Sequence, residues 1–425
     1  MTGLNGLGTI AVAAAAIVWV EWVRDTYHWL SHRWSWLYRL HGIHHRTFRP
    51  DLSADLRLYR RSQWINDVPE CLVMLLLSLL PWYVWPQWTA LAGTAYTTVF
   101  LLGAIARGSG WARADELTDL THQPGKFSGR PGNWFVNREY HWRHHFDNQR
   151  AYYCSTLTIF DKLMGTALSL SGKRVAVTGA SGTLGRALLE QLRARGAKVV
   201  ALSSRSQPVV LSDGTELETL TWKVGGETEL IAMLERIDIL VLNHGINVHG
   251  DRSPAAIAQS YEVNTFSSWR LMEAFLQTVR TNTDIARKEV WVNTSEAEVG
   301  PAISPLYELS KRALGDLVTL RRLDAPCTIR KLILGPFKSN LNPIGVMSAD
   351  WVAAQILNLA VRDARNIVVT VNPLTFLAFP MKECCVSAYF RLFGRASRSD
   401  ANVAPSKAVD IPKVSVVGAK KPLQP

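Results

Sequence analysis

The chain has 425 residues, 48 % of them apolar, and a formal net charge of +12. That length exceeds what one hydrophobic core organises and suits two domains. The basic residues flank apolar runs and no nucleic-acid motif accompanies them, which argues against a nucleic-acid partner. Cys71, Cys154, Cys327, Cys384 and Cys385 show no ligand spacing, so they fit a reducing compartment rather than a disulfide scaffold.

In chain order, residues 5–23, 70–86 and 88–106 are apolar runs near the length of a bilayer span, the second being marginal. No basic residue precedes the first run, and Glu21, Trp22 and Arg24 follow it without a small-residue cleavage site. It therefore reads as a retained span, not a cleaved leader. The turn PWYVWPQW (81–88) joins the other two runs into a hairpin. Twelve of the sixteen tryptophans precede residue 143, several at run ends, which suits an interfacial belt better than a soluble core. Arg24, Arg33, Arg39, Arg46, Arg49, Arg57, Arg60 and Arg61 fill the loop at 24–61. The positive-inside rule places that loop in the cytoplasm, and everything from about residue 107 with it.

Nine of eleven histidines precede residue 146. His28 and His32 stand in HWLSH, His41, His44 and His45 in HGIHH, and His141, His144 and His145 in HWRHH. On a helix, positions three or four apart share a face, so each group aims two imidazoles one way. Neutral imidazole ligates Fe, Zn, Cu or Ni, and eight rings suffice for two ions with four ligands each. Ionisable clusters at a bilayer are functional by default. His122, in DLTHQP, is equally a ninth ligand, a hydrogen-bond donor behind a ligand, or a bystander.

These three groups around a transmembrane hairpin resemble the fatty acid hydroxylase/sterol desaturase superfamily, over about residues 10–168. FDKLMGT (160–166) is similar to that family's closing motif. The resemblance implies an α-helical membrane fold with a histidine-bound dimetal centre, two Fe ions, facing the cytoplasm. There O₂ would be activated to hydroxylate or desaturate a lipid drawn from the bilayer.

After a short polar junction, SLSGKR, the texture changes. Apolar strands such as RVAVTG, KVVALS, IDILVLN and EVWVNT alternate with helical segments, the signature of an open parallel α/β sheet. TGASGTLG follows the first strand and opens a helix. Thr178, Gly179, Ser181, Gly182 and Gly185 thus form a phosphate-cradling loop. The next strand ends without an acidic residue and offers Ser204 and Arg205, favouring NADP(H) over NAD(H). Asn243 and Gly245 follow in LNHGIN, then Asn264, Ser295, Tyr307 and Lys311. An ammonium one helical turn from a phenol lowers its pKa and readies it for proton exchange with an alcohol or carbonyl.

This set, over about residues 172–372, resembles the short-chain dehydrogenase/reductase family. The resemblance implies a Rossmann-type doubly wound sheet, catalysis by Ser295, Tyr307 and Lys311, and an Asn264 proton relay. Three departures stand out. The glycines are spaced GxxGxxG, Lys223 replaces the usual acidic residue after the third strand, and Ser295 is one residue closer to Tyr307 than is common. The last makes Thr294 a second candidate.

Residues 373–394 read as an amphipathic helix lying on the membrane or as a buried C-terminal helix of the second domain, and 396–425 as a disordered tail. The whole layout (1–168, then 172–372) resembles bifunctional sterol desaturase/short-chain dehydrogenases. A nicotinamide delivers hydride and no flavin or Fe–S motif is present to split it, so an external one-electron donor such as ferredoxin or cytochrome should serve the irons. The expected function is sequential: the first domain oxidises a lipid and the second adjusts an alcohol or carbonyl on it. The alternatives are a wax-type enzyme acting on fatty aldehydes and a membrane-tethered NADP(H) sensor or scaffold without turnover.

Overall fold

The computed structural model describes residues 6–301 and 303–395; the expected tail at 396–425 lies outside them. Three helices are long and apolar enough to cross a membrane: Gly6–Ser31, Leu56–Val84 and Trp88–Gly108. The first two outrun their apolar cores because each carries site residues on a polar extension. The first carries His28 in its last turn and ends at Ser31. The second begins at Leu56, where Asp55 caps it by accepting from the N–H groups of Arg57 and Leu58, each at 3.0 Å. A π-helical turn, Gln63–Asp67, interrupts the second span and turns Asn66 inward. Such turns recur at functional sites.

A helix Ser35–Thr47 carries the second histidine group and a helix Arg138–Phe146 the third. Asn137 caps the latter, its side chain accepting from the Tyr140 N–H at 3.0 Å. The junction is not a free linker. Leu168 and Leu170 are buried, and Lys173, also buried, pairs with Asp147 at 2.8 Å.

Seven parallel strands follow: β1 (Arg174–Thr178), β2 (Lys198–Ser203), β3 (Thr219–Thr221), β4 (Ile239–Leu242), β5 (Glu289–Asn293), β6 (Thr328–Leu334) and β7 (Asn366–Val369). Their spatial order is β3-β2-β1-β4-β5-β6-β7. Apolar clusters cover both faces, as near-continuous apolar strands require. The order reverses between β1 and β4, which opens a crevice at their carboxyl ends. The doubly wound sheet expected from the alternating texture is therefore present after an α-helical membrane region.

The two regions are locked together under the sheet's amino edge. Arg143, on the outer side of the third histidine helix, donates to the Ala286 carbonyl and to Glu289 at 3.1 Å. Glu289 opens β5 and also accepts from Arg330, at 2.8 and 2.9 Å. Arg330 in turn pairs with Asp363 at 2.8 Å. All four side chains are buried. The last described helix, Thr375–Phe393, packs along the helix Pro305–Arg321.

Candidate functional site

The nine histidines expected as ligands form two centres. His28, His32, His41, His45 and His144 make one, and His44, His122, His141 and His145 the other, with ligand atoms within 4.8 Å of one another in each. The grouping does not follow the sequence groups. On a helix, His41 and His45 lie one turn apart and share a face, as do His141 and His145. The middle members, His44 and His144, are rotated about 100° from the following residue and cross to the opposite centre.

The Nε2 atoms converge. His28 and His144 are 2.9 Å apart there, His41 and His45 3.0 Å, His144 and His45 3.2 Å, and His45 and His32 3.3 Å. In the second centre His141 and His122 are 3.0 Å apart, His44 and His145 3.1 Å, and His122 and His145 3.2 Å. Metal–imidazole bonds of about 2.0–2.1 Å put neighbouring nitrogens about 3 Å apart around an ion. The donor set and spacing therefore fit one metal ion per centre. Burial holds the His41 ring down at about 4 and His144 at about 3, so both stay neutral and ligand-ready.

Four rings are fixed from behind. The Nδ1–H groups of His28 and His144 donate to the carbonyls of Tyr153 and Ala151, at 2.6 and 2.8 Å. His41 Nδ1 meets Asn66 Oδ1 at 3.0 Å, and His122 Nδ1 meets Asp119 at 2.6 Å. Such contacts set the tautomer and direct Nε2 inward. Asp119 is itself held by the Tyr59 hydroxyl at 2.8 Å. His122 thus has the placement of a ligand rather than a bystander.

FDKLMGT explains the carbonyl contacts. Its Asp161 accepts from the N–H groups of Tyr153 and Cys154, at 2.9 and 2.8 Å, and from the hydroxyls of Tyr140 and Thr166, at 2.8 and 2.6 Å. It therefore fixes the loop whose carbonyls aim His28 and His144. Asp161→Ala is expected to weaken metal binding by about 10–100-fold, measured as metal retained against a chelator. Asp161→Asn should lose less. Sequence reasoning passed over Asn66, Asp119 and Asp161 in these roles, although Asp161 stood in FDKLMGT and Asp119 in DLTHQP.

The second site lies at the carboxyl edge of the sheet. Gly179 adopts φ +63°, and a Cβ there would meet the His244 backbone at 3.0 Å. A Cβ on Gly185 would strike the Gly179 carbonyl at 2.2 Å. Gly182 precedes the helix Thr183–Ala194 at its cap position, with Ser181 beside it. These residues form a close backbone cradle of the kind a pyrophosphate fills. The Thr178 hydroxyl ties β1 to β4, accepting from the Asn243 N–H at 2.8 Å and bonding His244 Nδ1 at 2.8 Å. Sequence reasoning missed His244. Ser204 and Arg205 are exposed just beyond β2, and Gly245 faces Asn264 and Lys311.

Ser295 stands beside the Tyr307 side chain. Its unusual spacing is absorbed by a left-handed backbone, φ +80°, leading into the short turn Glu296–Glu298. That conformation costs about 1–3 kcal/mol for a non-glycine residue and recurs at active sites. The alternative, Thr294, is buried with no partner for its hydroxyl among the described residues. Lys311 Nζ donates to the Asn293 carbonyl at 2.9 Å and stands 6.0 Å from the Tyr307 ring centre. Burial lowers Lys311 to about 8. Burial raises the Tyr307 phenol, and the Ser295 hydroxyl beside it opposes that rise. Asn264, in a second π-helical turn, Glu262–Phe266, accepts from the Ile246 N–H at 2.8 Å and donates to Ser310 at 3.0 Å.

The two sites lie at opposite ends of β5. From Glu289, beneath which Arg143 docks, to Ser295 the chain advances six residues, about 20 Å at strand rise.

The fatty acid hydroxylase family model matches residues 13–166 and the short chain dehydrogenase model residues 173–337. A monoglucosyldiacylglycerol epimerase from Synechocystis sp. is 58 % identical over 411 residues, covering 93 % of this chain and 100 % of that one. A dehydrogenase/reductase SDR family protein 7-like from Anopheles gambiae is 28 % identical over 272 residues, covering 53 % of this chain and 83 % of that one. The crystal structure of a short chain dehydrogenase from Burkholderia cenocepacia in complex with NADP aligns with a TM-score of 0.43 at 20 % identity, covering 54 % of this chain and 100 % of that chain. The chain is an enzyme, an oxidoreductase of lipid metabolism with a nicotinamide-binding domain and helices suited to a membrane. It belongs to the family of the Synechocystis protein, in which a fatty acid hydroxylase domain is fused to a short-chain dehydrogenase domain.

Proposed function

We propose that this chain is a membrane-bound glycolipid epimerase that inverts one ring carbon of a glucosyl diacylglycerol head group. The observation that carries this reading is the end-to-end identity with the Synechocystis epimerase, 58 % over 93 % of the chain. The Ser295–Tyr307–Lys311 arrangement supplies the chemistry. The Ser295 hydroxyl holds the reacting sugar oxygen. Tyr307 takes the hydroxyl proton in the oxidative half and returns it in the reductive half. Lys311, charged below about 8, favours the phenolate while the proton is away. The glycine cradle at Gly179, Gly182 and Gly185, with Arg205 toward a 2′-phosphate, would hold a nicotinamide, which when bound would supply reversible acceptance of the carbinol hydride and its return to the other face of the ketone. The head group must turn over between the two halves while remaining in the site.

The net reaction is redox-neutral. It needs neither O₂ nor an external ferredoxin or cytochrome, in contrast to the sequential oxidation expected from the sequence. One observation favours a second reaction in the membrane half: all nine histidines converge on two centres. Iron held by these histidines would supply O₂ activation toward an unactivated lipid C–H bond. Nothing in the two sites favours a fatty aldehyde.

The test is to incubate the purified protein with monoglucosyldiacylglycerol and substoichiometric NADP⁺, under air and under argon, and analyse the released hexose. The epimeric sugar is expected at equal rates in both atmospheres. A requirement for O₂ would favour the oxidative reading, and unchanged glucose would reject the epimerase.

A further inference from the structure

The helix Thr375–Phe393 is built inside out. Lys382 and Glu383 face the domain. Lys382 pairs with Asp316 at 2.6 Å and Glu298 at 2.7 Å, and Glu383 with Lys331 at 2.8 Å and Arg322 at 3.0 Å. The outward face is apolar: Phe376, Leu377, Met381, Tyr389, Leu392 and Phe393 are exposed, Leu392 by 79 %. At 1.5 Å per residue the helix is about 28 Å long, and an apolar stripe of that length is more than a soluble surface ordinarily shows.

Two sets of contacts indicate what covers it. The first leads to a span. Arg322, which holds Glu383, accepts from Arg130 through its carbonyl at 2.7 Å. The Arg130 segment continues into exposed Trp134 and Phe135, and the Val136 N–H donates to the Thr156 carbonyl at 2.8 Å. The Thr156 hydroxyl lies 3.3 Å from the hydroxyl of Tyr96, which is inside the third span. The second leads to the nucleotide site. The Thr375 hydroxyl bonds Glu296, the neighbour of Ser295, and Ile303, Ile344 and Val346 extend the apolar surface from loops beside the site.

We propose that Thr375–Phe393 lies in the head-group layer of the bilayer that holds this chain's spans, apolar face down. It thereby seats the Tyr307 site at the lipid surface. Aromatic residues and an arginine at its outer end suit that layer. Resting on the epimerase reading, this seating lets acyl tails stay in the bilayer while the sugar reaches Tyr307.

Cys384 and Cys385 are exposed on this helix, whereas Cys71, Cys154 and Cys327 are buried, so a thiol probe reports on the helix directly. The full chain, carrying Cys385→Ser and a polarity-sensitive fluorophore on Cys384, is placed one copy per phosphatidylcholine nanodisc. A control carries Cys384→Ser, Cys385→Ser and Asp213→Cys, labelled at the exposed loop position. Phosphatidylcholine spin-labelled near the acyl carbonyl should quench Cys384 at least about threefold more than the control, and aqueous iodide should quench it less. Iodide access without lipid quenching would overturn the proposal. So would shielding that appears only when two copies share a disc, because a second chain would then cover the face. These readouts need no turnover, so they fail independently of the epimerase reading. Leu377→Glu with Met381→Glu should then lower turnover of bilayer glycolipid at least about tenfold with NADP(H) binding retained; undiminished turnover would overturn the seating of the site.

Discussion

Tyr307→Phe is expected to lower epimer formation by about 10²- to 10⁴-fold, the range a positioned acid–base group supplies. Among the described residues of the site, the phenol is the group placed to move the proton, since Lys311 donates to the Asn293 carbonyl. The substitution removes one oxygen and leaves the ring, so the fold and the cradle at Gly179 and Gly185 should persist. Fluorescence titration with NADPH should give binding within about twofold of the parent while head-group analysis shows no epimer. Equal loss of binding and turnover would instead indicate collapse of the site.

Glu289→Gln is expected to cost about 3–5 kcal/mol of stability, the penalty for breaking a buried ion pair from one side. Glu289 is fully buried between Arg143 and Arg330, and three charge-assisted hydrogen bonds end on its carboxylate. Burial alone would raise its pKa, but the two guanidinium groups more than offset that and depress it below the ordinary value of 4.5. A depressed carboxylate contributes stability that is present above the unfolded pKa and lost as pH falls through the folded one. The parent should therefore weaken below about pH 4.5, and the Gln variant should lack that part of the acid transition. Denaturant unfolding of the detergent-solubilised protein across pH checks both. Because Arg143 sits on the third histidine helix, metal retention should fall alongside stability.

Much of this was legible where the signal is local. A histidine pattern of three or four, a glycine turn between strand and helix, and a Tyr–Lys turn each constrain chemistry within one element. The expected spans, the parallel sheet and the site residues at its carboxyl edge come from such signals. The division of the histidines into two centres was not legible, since it depends on how three helices are rotated against one another. Asn66 is one polar residue near an apolar run, and only a π turn makes it a partner for His41. Arg143 looked like part of HWRHH, yet its side chain points away from the cage and under the sheet. The final helix showed an amphipathic sequence, but which face meets the domain is decided by Lys331, Arg322 and Glu298, far away in sequence.

The central claim is that the second domain removes and returns the same hydride at one sugar carbon. The most direct measurement uses monoglucosyldiacylglycerol deuterated at every ring carbon, incubated under argon in ordinary water with substoichiometric NADP⁺, with mass analysis of the epimeric hexose. The account predicts that the epimer keeps its full deuterium content apart from the small exchange with unlabelled cofactor. Loss of one deuterium per epimerised head group to solvent would contradict it, because the carbon would then have been inverted by proton removal rather than hydride return.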